Sequence, residues 1–232
     1  MAFEIVDLTT SPRANAVAMF KDAALPTIVL SSKFDVTPLV GLKKKGFRFN
    51  ALMLYCILKA CRKFDGCYYD IKNDTFIKYD DMCVDMIVEG KDKQLYYVDL
   101  PYFDKFLDFY DEYETVRKHC HENCCNRKFV GRDHDCMSTS PVINRQFEPI
   151  SVNFFRDFYN PFFAWGKIEK KGLKKHLNIS LRVHHACMDG QEVGEIFNEI
   201  EKNMHTIAKQ IKVELKSKKK TSTSEVFLLC KC

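Results

Sequence analysis

The sequence predicts an α+β fold, in which a mixed and mostly antiparallel sheet is packed by helices within a single domain. Segments in which apolar and polar residues alternate, as they do in half-buried strands, are interleaved with segments of helical spacing. The two kinds of segment do not follow a regular βαβ rhythm, which favours an α+β arrangement. With 232 residues, 46% hydrophobic and 13% aromatic, the chain can bury one sizeable core, and it shows no internal repeat.

Helices are predicted where apolar residues recur at intervals of three and four. Ser11 and Pro12 are favoured at the N-cap and first position of a helix, so they mark the start of the first one. Lysines followed by Gly46 end the second helix, because cations and glycine favour helix C-termini. The third has no helix breaker and is expected to be mostly buried. The predicted helices cover residues 13–24, 35–46, 49–64 and 101–119, and a fifth begins near Gly190.

Strands are predicted where side chains alternate with a period of two, or where short apolar runs are bounded by turn residues. A polar turn at residues 72–74 separates two such runs and indicates a hairpin. The last two predicted strands are expected to pair with each other in antiparallel fashion. The predicted strands cover residues 27–34, 67–71, 75–79, 82–88, 161–167 and 177–183, with a weak alternation over 3–8 and an extended segment over 140–152.

The run VHHACMDG at residues 183–190 joins the last predicted strand to the last predicted helix. Gly190 supplies the backbone freedom that a sharp turn between the two requires. His185 has an aspartate four residues on, next to that glycine. A lone histidine in a turn is commonly structural, but a strand-to-helix junction with this composition is a common place for chemistry.

Charge and cysteine content limit the classes of function. The 36 basic and 31 acidic residues give a net charge of +5, too small to indicate nucleic acid and compatible with an anionic small ligand. Residues 1–4 lack the basic and apolar parts of a signal peptide, so the 11 cysteines are expected to be reduced thiols in the cytoplasm. No apolar run approaches the roughly 20 residues of a membrane span, so we expect a soluble protein.

A segment rich in histidine and cysteine covers residues 119–136. Thiolates and imidazoles at short spacing suit zinc, so a metal site is one interpretation. The spacing matches none of the standard zinc patterns, and the adjacent Cys124 and Cys125 cannot point the same way on a helix. We therefore expect a thiol-rich helix end and no metal.

The last residues form a basic segment that we separate from the domain. The domain is expected to cover residues 1–211, and residues 212–232 are expected to form a disordered, solvated tail. An alternative is a membrane tether made by the lysine run together with lipidated Cys230 and Cys232, although these residues fit no standard lipidation pattern.

The junction and several distant residues together resemble the chloramphenicol acetyltransferase family. The family carries a His-His-x-x-x-Asp-Gly run near its C-terminus, and related runs occur in dihydrolipoamide acyltransferases and in larger plant and fungal acyltransferases. The dihydrolipoamide enzymes are a less favoured interpretation, because no lipoyl domain is seen before Arg13. The resemblance covers residues 13–201 and rests on His185, Asp189 and Gly190, with Arg13, Phe20, Asp35-Val36-Thr37 and Gly166-Lys167 at the family's intervals.

This resemblance implies a CoA-dependent acyltransferase-like domain with three catalytic residues. His185 is implied to be the general base, which takes the proton of a substrate hydroxyl as the oxygen attacks the thioester carbonyl of acetyl-CoA. Asp189 is implied to form a buried ion pair with Arg13, which holds the loop so that His185 keeps its tautomer and direction. His184 has no catalytic counterpart in the family and is interpreted as structural.

The resemblance also implies the ligands and the assembly. Acetyl-CoA is the co-substrate, Gly166 and Lys167 are implied to contact it, and lysines 43–45 are further candidates for its phosphates. The acceptor is a small molecule with a hydroxyl, such as chloramphenicol, which implies a role in antibiotic resistance. Thr27, with Ile28 and Phe129 less firmly aligned, is a candidate for the acceptor pocket. The family is a homotrimer with active sites between subunits.

Two positions depart from the family pattern. Its oxyanion-stabilising serine corresponds to Phe147, or to Pro149 after a two-residue shift, and the nearest downstream hydroxyl is that of Ser151. A family threonine corresponds to Ala164. Loss of one oxyanion donor generally costs about 10²- to 10³-fold in turnover. Either Ser151 or a backbone amide substitutes, or the chain is a catalytically weakened trimer that binds CoA or a small molecule.

Overall fold

The computed structural model describes residues 3–127, 137–141, 145, 147 and 158–229, with side chains described as far as residue 217. The helices are α1 (Ala14–Phe20), α2 (Thr37–Lys43), α3 (Phe49–Cys61), α4 (Phe106–Asn123) and α5 (Gly190–Leu229). The strands are β1 (Phe3–Ile5), β2 (Thr27–Asp35), β3 (Tyr69–Lys72), β4 (Thr75–Tyr79), β5 (Cys83–Glu89), β6 (Leu95–Pro101), β7 (Met137–Pro141), β8 (Phe162–Trp165), β9 (Glu169–Lys171) and β10 (Lys174–His184).

The strands form two sheets, and the larger one carries the junction. Its order is β2-β10-β8-β7-β5-β6, with β9 paired to β10. Strand β10 runs antiparallel to β2 and β8, whereas β7 runs parallel to both β5 and β8. A small antiparallel sheet has the order β1-β4-β3 and contains the predicted hairpin. The α+β prediction, with a mixed and mostly antiparallel sheet, is confirmed.

Helices α3 and α5 pack against β10 to form the core. The apolar side chains of β10 that face this core, Leu177, Ile179, Leu181 and Val183, are at most 1% exposed. The opposite face of the strand is polar yet also buried, with Asn178, Ser180, Arg182 and His184 at most 5% exposed. A strand buried on both faces is rigid, so the junction at its end is held by the best-packed part of the fold.

Several boundaries differ from prediction. Helices α1, α2 and α3 end earlier than predicted, at Phe20, Lys43 and Cys61. Residues 95–101 form β6, and α4 begins at Phe106, not at Pro101. The turn between β5 and β6 closes through the amide of Gly90, which donates to the Gln94 carbonyl at 2.9 Å, and this hairpin sets the strand. Helix α1 begins at Ala14, so its N-cap is Arg13 and not Ser11 as predicted. The Ser11 hydroxyl instead accepts the Arg13 amide at 3.1 Å, in the turn before the helix.

The cysteine predictions have mixed outcomes. Cys83 is disulfide-bonded, which differs from the expectation that all thiols are reduced. Cys56, Cys61, Cys67, Cys120, Cys124, Cys125 and Cys187 are free thiols. Within the described stretches, no three His, Cys, Asp or Glu side chains lie close enough to share a metal ion. Residues 128–136, which contain the second half of the His- and Cys-rich segment, lie outside those stretches.

Helix α5 continues well past the predicted end of the domain. The two carboxylate oxygens of Glu214 accept the amides of Phe106 and Leu107 at 3.1 and 2.8 Å, at the start of α4. The domain boundary predicted at residue 211 therefore falls inside α5, which still contacts the rest of the fold at Glu214. The division into a domain and a tail stays a prediction. No helix in the described residues is long and apolar enough to cross a membrane, and the terminal cysteines lie outside them.

Candidate active site

The junction between β10 and α5 is fixed to the start of β2. The amide of His185 donates to the carbonyl of Pro26 at 2.7 Å, one residue before β2 begins. The amides of Cys187 and Met188 both donate to the carbonyl of His184, which closes the turn. His184 pairs in register with Thr27. The backbone on both sides of His185 is therefore held in one arrangement by main-chain hydrogen bonds.

The ring of His185 lies flat against the ring of Phe20. The two ring centroids are 4.2 Å apart and the planes differ by 3°. Nδ1 of His185 is buried, and no group in the described part of the chain hydrogen-bonds to it. Among the described contacts, the stacking against Phe20 of α1 is therefore the one that orients the imidazole.

Arg13 connects the N-terminal segment to the junction through all three of its nitrogen atoms. Its Nη2 donates to the His185 carbonyl at 2.6 Å, and its Nε donates to the Ala186 carbonyl at 3.1 Å. Nη1 meets Oδ2 of Asp189 at 3.3 Å. The structure thus brings together the three residues expected to be catalytic, 172 to 176 positions apart in the chain.

The details of this contact correct two expectations. The Arg13 side chain is 12% exposed but that of Asp189 is 47% exposed, so the ion pair is not a buried one. Half-exposed pairs are screened by water and are typically worth less than about 1 kcal/mol. In addition, Arg13 contacts the carbonyl of His185 and not its ring, so it fixes the backbone of the loop rather than the tautomer of the imidazole.

Asp189 also begins helix α5. Its Oδ1 accepts the amide of Glu192 at 3.0 Å, as an N-cap aspartate does. This hydrogen bond, together with the positive charge of Arg13, holds the pKa of Asp189 below its usual range despite partial burial. Asp189 is therefore ionised at neutral pH and joins the guanidinium to the first turn of the helix.

His184 is enclosed within the chain. It is fully buried, its Nδ1 accepts the amide of Ala186 at 3.2 Å, and its ring lies 4.5 Å from that of Tyr159. These contacts give it a packing role beside the turn, in line with its structural interpretation.

A second feature lies at the other end of β10, where Gly166 and Lys167 line a cavity of about 630 Å³. Lys43 and Arg48 face the same cavity, as does Trp165, the single tryptophan of the chain. Three cations suit a ligand that carries anionic groups. Lys43 and Lys167 were predicted as contacts for CoA, but Arg48 and Trp165 were not. The position of the single tryptophan next to Gly166 was a signal that could have pointed to Trp165.

The cavity and His185 are well separated within one chain. The amide of Gly166 donates to the carbonyl of Asn178 at 3.4 Å, and His185 lies seven residues further along β10 and the turn. At about 3.3 Å per extended residue, the two are roughly 23 Å apart. A ligand bound at the cavity must therefore be long to reach this histidine, or must face the histidine of another copy.

The two positions that lack the family's hydroxyls have different surroundings. Ala164 is buried on β8, opposite Ser180 on β10 and Ser140 on β7. Ser180 in turn shares a 2.6 Å hydrogen bond with Ser31 on β2. Residues directly opposite each other share a face of a sheet, so three hydroxyl residues lie in one row with Ala164.

Phe147 is 37% exposed, and its carbonyl accepts the side-chain amide of Asn178 at 3.0 Å. Its side chain offers no donor. Pro149, Ser151 and Phe129 lie outside the described residues. Thr27 is at the junction, but its register partner is His184.

Comparison with known proteins agrees with this geometry. A family model described as chloramphenicol acetyltransferase matches residues 1–201. Chloramphenicol acetyltransferase 2 of Escherichia coli is 24% identical over 207 residues, which cover 87% of this chain and 96% of that protein. Chloramphenicol acetyltransferase 3 of Escherichia coli is 26% identical over 176 residues, which cover 74% and 83%.

Solved structures give the same result for the fold. A chloramphenicol acetyltransferase superposes with a TM-score of 0.74 at 17% identity, covering 88% of this chain and 100% of that chain. A probable dihydrolipoamide acetyltransferase from Listeria monocytogenes superposes with a TM-score of 0.63 at 14% identity, covering 88% and 94%. The fold is that of the CoA-dependent acyltransferase catalytic cores, and the chain belongs to the chloramphenicol acetyltransferase family.

Proposed function

We propose that the protein is an acetyl-CoA-dependent O-acetyltransferase that acts on a hydroxyl of a small molecule such as chloramphenicol, with His185 as general base. Family membership supports an acyltransferase. The observation that carries the finer assignment is the double constraint on His185, whose ring stacks on Phe20 while Arg13 holds its carbonyl. A histidine that only filled a turn would not need both constraints.

In the proposed reaction His185 accepts the proton of the acceptor hydroxyl while the oxygen attacks the thioester carbonyl carbon. A tetrahedral intermediate forms with its negative charge on the former carbonyl oxygen. When that intermediate collapses, the carbon–sulfur bond breaks, and the imidazolium returns the proton to the departing CoA thiolate. The products are the acetyl ester and CoA, and the histidine is regenerated. A positioned general base of this kind typically contributes about 10²- to 10⁴-fold.

We assign CoA to the cavity at Gly166 and Lys167. Its phosphates match the cations of Lys43, Arg48 and Lys167. The proposal includes a homotrimer in which active sites form between subunits, as the family resemblance implies. The proposal includes a cytoplasmic location and, with chloramphenicol as acceptor, a role in antibiotic resistance.

The test combines purified protein, acetyl-CoA and a panel of hydroxyl acceptors that includes chloramphenicol. Product is detected as acetylated acceptor by mass spectrometry, because the protein's own cysteines would react with thiol reagents. We expect one acceptor to be acetylated by the wild type and at least about 10²-fold more slowly by His185→Ala. Absence of acetylated product with every acceptor, under conditions where the protein is folded, contradicts the proposal.

A second candidate is a catalytically weakened trimer that binds CoA or a small molecule. It is motivated by Phe147 and Ala164, which stand where the family carries hydroxyls. Both candidates bind CoA in calorimetry, so the acetyl-transfer assay separates them: the second candidate shows no efficient turnover with any acceptor. Ala164→Ser adds back one hydroxyl beside Ser180 and should raise the rate of a weakened enzyme, by no more than about 10²- to 10³-fold.

A further inference from the structure

Glu192 makes an unusual contact for its place in the helix. Asp189 is the N-cap of α5 and Glu192 is three residues on, which is the spacing of a capping box. In a capping box the glutamate would accept the N-cap residue's own amide. Here Oε1 of Glu192 accepts instead the amide of Gly66 at 3.1 Å, 126 residues away in the chain.

Gly66 lies in the short 3-10 turn Asp65–Cys67, which follows α3, the buried central helix. A Cβ atom placed on Gly66 would lie 2.6 Å from Oε1 of Glu192 and 3.0 Å from its Cδ and Oε2. Such distances are not tolerated without displacement of the carboxylate. A side chain at position 66 would therefore push the carboxylate of Glu192 out of its present position.

We infer that Glu192 is a positioning residue for His185, acting through its contact with Gly66. This inference rests on the proposed function and deepens it. Glu192 does not contact the histidine ring in the structure, so it is not a catalytic residue. It would act by fixing the first turn of α5 to the end of α3.

The contacts form a continuous path from Gly66 to His185. The Glu192 amide donates to one carboxylate oxygen of Asp189, and the other oxygen meets the Arg13 guanidinium. That guanidinium holds the carbonyl of His185. Loss of the contact with Gly66 frees the first helical turn, and with it the backbone of the loop that carries His185. A displacement of about 1 Å in a catalytic group can cost about 10²-fold in rate.

The chain offers matched variants for this contact. Glu192→Gln keeps an oxygen acceptor for the Gly66 amide, whereas Glu192→Ala removes it. Glu195→Ala removes a carboxylate from an exposed position one turn further along α5 and serves as the control. Gly66→Ala disrupts the same contact from the opposite side.

The experiment measures kcat and KM for acetyl transfer by the wild type and these variants. We expect Glu195→Ala and Glu192→Gln to stay close to the wild-type kcat. Glu192→Ala and Gly66→Ala should lose about tenfold in kcat with little change in KM for acetyl-CoA, less than the loss for a full 1 Å displacement. The double variant with Gly66→Ala and Glu192→Ala should lose no more kcat than either single variant, because both substitutions remove the same contact. If Gly66→Ala does not fold, Glu192→Ala carries the test.

Hydrogen exchange at the amides of Ala186, Cys187 and Met188 measures the same positioning without turnover. Faster exchange in Glu192→Ala, but not in Glu192→Gln or Glu195→Ala, supports the inference. Unchanged exchange overturns it, and so does a kcat for Glu192→Ala equal to that of Glu195→Ala in an active enzyme. If the wild type transfers no acetyl group, the proposed function fails while the exchange measurement still decides the role of Glu192.

Discussion

Arg13 provides a sharp test of how the loop that carries His185 is held. Two of its hydrogen bonds go to the carbonyls of His185 and Ala186, and the third goes to Asp189. Hydrogen bonds from a charged donor contribute about 1.5–3 kcal/mol each, whereas the half-exposed ion pair adds less than about 1 kcal/mol. Arg13→Ala should therefore cost about 3 kcal/mol or more, and Asp189→Asn less than about 1 kcal/mol.

Arg13→Lys should be intermediate. The single ammonium of lysine can reach one of the three acceptors, so two contacts are lost and the cost should be about 2 kcal/mol. The measurement is urea unfolding at one fixed protein concentration, because oligomerisation makes apparent stability depend on concentration. The kcat for acetyl transfer should fall in the same order, from Asp189→Asn through Arg13→Lys to Arg13→Ala.

A different order of these losses would refute this account of how Arg13 holds the loop. If the ion pair were the main contact and effectively buried, removing either charge would cost about 3–5 kcal/mol, because the other would be left stranded. Equal losses for Arg13→Ala and Asp189→Asn would therefore show that the carbonyl contacts matter little. Glu112→Gln, which removes one charge of the ion pair with Arg127, is a control for general effects of charge removal.

Three further perturbations test other parts of the structure. Phe20→Leu removes the stacking contact with the proposed base, so kcat measured by acetyl transfer should fall about 2- to 13-fold, the equivalent of 0.5–1.5 kcal/mol for an aromatic pair. Burial raises the pKa of Asp35, but hydrogen bonds from Thr37 outweigh this effect and lower the pKa to about 2. Because the folded pKa is depressed, the ionised Asp35 contributes about 2 kcal/mol to the free energy of unfolding above pH 4. This contribution should be lost in acid unfolding as the pH falls toward 2. The Asp35→Asn variant should not show this loss. A chain ending at residue 211 loses the Glu214 carboxylate that accepts two amides of α4, so its melting temperature should fall relative to the full chain, and Glu214→Ala should reproduce much of that loss. An unchanged melting temperature would support a domain that ends at residue 211.

Local patterns in the sequence were enough to predict the elements that form the core. Strand β10 shows alternating residues up to Val183, and α3 is an unbroken apolar run, so both were recognised with nearly correct ends. Strand β6 was missed because no element was assigned to residues 89–100, although Tyr96, Tyr97 and Val98 favour strands. The start of α4 was placed too early because Phe103 and Phe106 continue a helical spacing back toward Pro101. The hairpin turn that separates β5 from β6 had a usable signal, because a short polar loop that contains a glycine, here Gly90, between two strand-like runs indicates a hairpin.

The contacts of the candidate site could be predicted where the family motif contains the side chain involved. They could not be predicted where a side chain contacts the backbone. His185, Asp189 and Arg13 meet as expected. The carbonyls that Arg13 binds and the parallel stacking of Phe20 depend on how α1 returns to the junction, which no local pattern specifies. The same holds for Gly66, whose role is visible only once Glu192 lies beside it.

The most direct test of the central claim compares two histidines on neighbouring elements. His185 is held at the junction, whereas His205 is exposed on α5. We expect His185→Ala to reduce the rate of acetyl transfer to the acceptor by at least about 10²-fold, and His205→Ala to leave it unchanged. Equal rates for the two variants and the wild type would contradict the assignment of His185 as the general base.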